Sequence, residues 1–106
     1  MEFVETSIFT RQITALVDDD TYRELQVQLA LDPTIGPVIR GTGGLRKVRI
    51  AARGKGKRGG ARVIYFRLAQ RSKIAMLLAY GKDEQDDLTT DQRTALRNIV
   101  KLWESQ

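Results

Sequence analysis

Apolar and polar positions along the chain fall into periods that predict a β-α-α-β-β-β-α order of elements. Glu2–Glu5 sets Phe3 and Val4 between two acids and reads as a short strand. Phe9, Ile13, Leu16 and Val17 recur at helical spacing and form one face of a short helix, which Asp18–Asp20 interrupts. An Asp just before Thr21 suits the start of a second helix, because its carboxylate accepts the unpaired N–H groups of the first turn. Tyr22, Leu25 and Leu29 give that helix its apolar stripe, and Asp32-Pro33 stops it. Pro33–Gly44, with two prolines and four glycines, is expected to be an irregular crossing loop. Leu45–Ala52 and Ala61–Leu68 then read as two strands joined by the loop Arg53–Gly60.

Lys73–Tyr80 (KIAMLLAY) is a nearly unbroken apolar run of strand length, which suits a strand buried on both faces and hence central in a sheet. Thr89 with Gln92 three residues on forms a capping box for a last helix striped by Leu96, Ile99, Val100 and Trp103. Trp103 is most simply a core residue of that stripe. The pattern predicts one α+β domain over 1–106, a small, mainly antiparallel sheet with helices on one side.

Composition narrows the chemistry. With no cysteine and no histidine, the chain has no disulfide, no thiolate nucleophile and no histidine-ligated metal. Acid–base work falls to Lys, Arg, Tyr, Asp or Glu, and neither a metal nor a cofactor is expected. No apolar run approaches the ~18 residues of a membrane span, and MEFVETSIF lacks the basic-then-apolar layout of a signal peptide. A membrane partner is therefore not expected.

Charge changes the picture most. The net charge is only +5, yet Arg40–Lys73 holds 12 of the 18 basic residues and none of the 13 acidic ones. Signs are usually interspersed on a protein surface, so a positive field confined to a hairpin points to a polyanion. Arg46, Lys47, Arg49, Arg53 and Arg58 are the candidate residues to bind it. Within the loop, Gly54–Gly59 formally matches G-x-G-x-x-G. A dinucleotide site needs that motif to open a helix, and Ala61–Leu68 is strand-like, so this reading fails. Glycines here expose backbone N–H groups and let cations approach a phosphodiester.

RNA cleavage without a metal needs the 2′-OH deprotonated, the phosphate charge stabilised and the leaving 5′-oxygen protonated. Crowded basic side chains lower one another's pKa, so a lysine among arginines can act as base or acid, while an arginine fork holds phosphate oxygens. Lys55, Lys57 and Arg62 lie close together in sequence, at positions expected to tolerate truncation with little cost to the core. Tyr80 and Lys82 close the buried strand, whose end in an antiparallel sheet can return toward the loop.

The run GTGGLRKVRIAARGKGKRGGARVIYF, followed by LLAYGKDE, resembles the RelE/ParE superfamily of bacterial toxins, most closely the HigB-type toxins. The resemblance covers nearly the whole chain. It implies a ribosome-dependent mRNA interferase, an endoribonuclease that cuts messages in the ribosomal A site without a cofactor. It further implies a bacterial cytoplasmic protein, monomeric outside its complex, whose partners are the 70S ribosome, mRNA and an antitoxin with a helix-turn-helix DNA-binding domain. The family's basic residues fall on Lys55, Lys57 and Arg62. The chain departs from RelE-type enzymes where they carry an arginine after the Gly-Lys of the last strand and a tyrosine some six residues further: here stand Asp83 and Leu88-Thr89. Tyr80 and Lys82 are the candidate replacements. Two other readings stay open: a ParE-like inhibitor of gyrase, and a non-catalytic nucleic-acid-binding module.

Overall fold

Short-range signals set the element boundaries. The structure, a computed structural model, describes residues 1–54 and 60–105. β1 (Glu2–Glu5) leads into α1 (Ser7–Leu16), capped by Thr6, whose hydroxyl oxygen accepts the Phe9 N–H at 3.0 Å. α2 (Asp19–Leu31) starts earlier than Thr21, because Asp18 is the residue that caps it, accepting the Thr21 N–H at 2.9 Å. Asp19 and Asp20 thereby enter the first turn, where their charge complements the positive end of the helix dipole. β2 (Arg46–Ile50), β3 (Ala61–Leu68) and β4 (Lys73–Gly81) follow, and α3 (Thr90–Glu104) closes the order expected from the sequence. The capping box forms reciprocally: Thr89 Oγ1 accepts the Gln92 N–H at 3.1 Å, and Gln92 Oε1 accepts the Thr89 N–H at 3.0 Å.

The sheet runs β1-β4-β3-β2. β3 is antiparallel to both neighbours and β1 is parallel to β4, so the α+β architecture has a mixed, mainly antiparallel sheet with the apolar β4 inside it. The helices, however, do not share one side. Phe9 and Ile13 of α1, with Leu25 and Leu29 of α2, pack on Val63, Tyr65, Ile74 and Met76. Leu96 and Val100 of α3 pack with Leu45 on Ile64, Phe66, Ala75 and Leu77, which point the other way. The physical reason is the unbroken apolar character of β3 and β4. Each face of the sheet carries large side chains worth about 1.5–3 kcal/mol apiece when removed from water, and one helical layer covers only one face.

β4 carries a β-bulge that resets which side chains face α3. Ile64 pairs with Leu78 but Tyr65 pairs with Met76, so Leu77 is an extra residue on β4. Leu77 and Leu78 therefore lie on the same face, and the side chains beyond them swap sides relative to strict alternation. Tyr80 consequently faces α3 rather than α1. Where β1 has ended, α1 takes over the hydrogen bonding of β4: the Thr6 hydroxyl donates to Leu77 O at 2.9 Å, and Gln12 Oε1 accepts the Ala79 N–H at 2.9 Å.

The crossing loop is tied down by backbone approach. The Tyr65 hydroxyl donates to Pro33 O at 2.8 Å and accepts the Gly36 N–H at 2.9 Å. A Cβ on Gly36 would sit 2.7 Å from Lys47 O and 2.9 Å from the Tyr65 hydroxyl. Gly36→Ala should therefore destabilise the fold by roughly 1–3 kcal/mol through overpacking against backbone that cannot yield. A urea melt of the variant with an unchanged midpoint would contradict this. Further on, Gly44 has φ +116°, and a Cβ there would stand 3.0 Å from the Phe66 ring.

Candidate active site

Register assembles the site. Arg49 of β2 pairs with Arg62 of β3, and Arg62 pairs with Tyr80 of β4, so the three form one row across the sheet. The bulge puts Tyr80 on the α3 face, the same face as Arg62; strict alternation along β4 would have turned it toward α1. At the end of this row, Lys82 N–H donates to Gly60 O at 3.0 Å, and Ala61 pairs with Gly81. The end of β4 thus returns to the basic loop, as the sequence reading expected of Tyr80 and Lys82. Lys82 itself is exposed.

Burial corrects one expectation. Arg62 is only 4% exposed and Tyr80 only 2%, so Arg62 is not a surface residue that can be shortened at little cost to the core. The Tyr80 hydroxyl is buried and has no hydrogen-bond partner among the described residues. Burial, with Asp87 nearby, pushes the Tyr80 phenol up to about 12 against the opposing influence of Arg62 and Arg93. Tyr80 is therefore neutral at physiological pH, a proton donor and not a base.

The same face holds two residues that the sequence pattern did not single out. Asp87, in the β4–α3 connection, lies 3.6 Å from Lys47 Nζ and 3.3 Å from Arg93 Nη2. Burial alone would raise the Asp87 carboxyl, but the Leu88 N–H and the two cations outweigh it and hold the group below the ordinary carboxylate range. Arg93 comes from the first turn of α3, and its Nη1 also donates to Arg40 O at 3.4 Å. The capping box at Thr89 was the one signal that could have placed it, since that box fixes where the first turn of α3 begins.

Other basic candidates go elsewhere. Arg46 pairs with Tyr65 in register, so it lies on the α1–α2 face, and its guanidinium donates to Gly36 O at 2.8 Å, bracing the crossing loop. Arg53 ties the hairpin to α1: its N–H donates to Leu16 O at 2.9 Å and its Nη2 to Thr14 O at 3.3 Å. Lys55, Lys57 and Arg58 lie outside the described residues. No three carboxylates among the described residues converge as a metal site.

A neutral tyrosine and an arginine fork on one row, next to a Gly/Lys/Arg loop, suit a phosphodiester better than any neutral substrate. Among known families, residues 39–106 match the model described as the RelE toxin of the RelE/RelB toxin–antitoxin system. The chain belongs to the RelE toxin family. The match runs from the end of the crossing loop through α3 and so contains the whole row Arg49–Arg62–Tyr80 with Lys82, Asp87 and Arg93. As a RelE toxin the protein is one half of a toxin–antitoxin pair, and its cognate antitoxin is a partner. No helix among the described residues is long and apolar enough to cross a membrane.

Proposed function

We propose that this RelE toxin is a ribosome-dependent mRNA endonuclease of the HigB type, acting in the bacterial cytoplasm. The observation that carries the reading is the Arg49–Arg62–Tyr80 row ending beside Lys82 at the mouth of the basic loop. In the reaction, the 2′-oxygen bonds to the scissile phosphorus as the bond to the 5′-oxygen breaks, leaving a 2′,3′-cyclic phosphate and a 5′-hydroxyl. Arg62 stabilises the charge that gathers on the phosphate oxygens. The proton of the 2′-OH goes to a lysine of the set Lys55, Lys57 and Lys82, and Tyr80 donates toward the departing 5′-oxygen. Arg49, Lys47 and the loop arginine Arg58 hold neighbouring phosphates. The ribosome supplies what so weak an acid–base pair lacks, a splayed codon in near-attack geometry. The toxin is monomeric outside its complex, and its antitoxin carries a helix-turn-helix domain.

Mapping mRNA 5′ ends after brief expression tests this directly. Breaks with 5′-hydroxyl ends, at fixed codon positions and only on translated messages, are expected. Intact messages together with a block of gyrase supercoiling would instead favour the ParE-like reading. Intact messages with salt-sensitive RNA binding would favour a binding module.

A further inference from the structure

The Asp87 carboxylate sits between two cations brought from distant parts of the chain. Lys47 comes from β2 and Arg93 from α3, at 3.6 Å and 3.3 Å. Lys47 is two residues from Arg49 on the same strand and the same face, so it lies along β2 about 6.7 Å from the Arg49 end of the row, a step comparable with that between adjacent phosphates on an extended strand. The buried Tyr80 hydroxyl, without a partner among the described residues, lies close enough for Asp87 and Arg93 to act on its ionisation. A group with two anionic oxygens thus already occupies this spot, and it is the protein's own.

We propose that Lys47 and Arg93 form a subsite for one phosphodiester of the RNA, which Asp87 occupies in the free protein and vacates when RNA binds. The inference rests on the reading of the protein as an RNA-directed toxin and extends it to a residue, Arg93, outside the basic hairpin. A carboxylate and a phosphodiester present the same pair of oxygens to an arginine fork. Asp87 remains 49% exposed, and ion pairs in that setting hold weakly and are screened by salt. A polyanion that engages Arg49 and the loop at the same time can displace it, whereas a lone phosphate has no such leverage. Asp87 would thus raise the demand on the ligand from one phosphate to a chain of them.

Asp87→Asn is the informative variant, because its side-chain oxygen can still accept the Leu88 N–H that Asp87 accepts at 2.8 Å. In fluorescence anisotropy with a short labelled oligouridylate at low salt, Asp87→Asn should bind about tenfold more tightly than the wild type, that is ~1.4 kcal/mol. Its slope of log affinity against log salt should be steeper by about 0.7, one additional phosphate neutralised on a single strand. Adding Arg93→Gln should abolish both gains. Asp20→Asn, which removes the same charge from exposed α2, should produce neither. Binding within twofold of wild type in a folded Asp87→Asn protein would overturn the proposal, as would an equal gain in Asp20→Asn.

NMR on the wild-type chain covers the case of a variant that does not fold: the Arg93 Nε–H signal should shift on saturation with oligouridylate, and a stationary signal refutes the subsite. Inorganic phosphate is the second probe, and a shift of that signal at the same concentration would reassign the site to free phosphate. Since none of these measurements needs cleavage, intact messages in cells would defeat the nuclease reading and leave this result standing on its own.

Discussion

Arg62→Met should cut message cleavage on the ribosome by about 10²–10³-fold, corresponding to roughly 2.7–4 kcal/mol of transition-state stabilisation. The loss should appear in kcat and not in KM, because Arg49, Lys47 and the loop cations still bind the message. Methionine is the chosen replacement because Arg62 is almost completely buried between Arg49 and Tyr80 in the row. Alanine there would leave a cavity and confuse a loss of fold with a loss of chemistry, whereas an unbranched side chain keeps the volume. Arg62→Lys is the companion variant: it keeps the charge without the planar fork, so an intermediate rate is expected. Cleavage by Arg62→Met within threefold of wild type, with a normal melting curve, would remove Arg62 from the reaction.

Most of the fold was legible because its signals are local. The Thr89–Gln92 box, the Asp at the start of α2, and the apolar run of β4 each act within a few residues, and each appears in the structure. The placement of all helices on one side was wrong for a reason already present in the sequence. A strand buried on both faces, as the apolar run Lys73–Tyr80 implies, requires cover on both faces, and α3 supplies the second layer. The bulge at Leu77 was not legible, since an apolar run looks the same in either register.

That difference decides the site. Whether Tyr80 meets Arg62 depends on one extra residue, Leu77, whose carbonyl accepts the hydroxyl of Thr6, some seventy residues earlier in the chain. Basic residues were found by their clustering, but clustering does not separate Arg49 on the α3 face from Arg46, which braces a loop on the opposite face. Arg93 gives no such signal in the sequence, because it sits on a helix with acids around it and only the tertiary fold carries it to Lys47.

Tyr80→Phe should move stability and activity in opposite directions. Its hydroxyl is buried with no hydrogen-bond partner among the described residues, an arrangement that costs on the order of 1–3 kcal/mol. Removing it should stabilise the protein by about 1 kcal/mol, raising the melting temperature by roughly 4–8 °C in a chain of this size. Cleavage should nevertheless fall by about 10²-fold or more, the loss expected when a positioned proton donor is deleted. A polar group kept at a cost to stability is what a site under functional selection would show.

The pH dependence gives an independent check. The Tyr80 phenol is raised to about 12 in the fold, chiefly by burial, against about 10 in the unfolded chain. As pH climbs from about 10 toward 12 the unfolded state loses this proton first, so the wild type loses stability across that window, and the variant should lose less. A Tyr80→Phe protein that melts lower than wild type and cuts messages at the normal rate would show that the hydroxyl serves packing alone, and would return the donor role to Lys82.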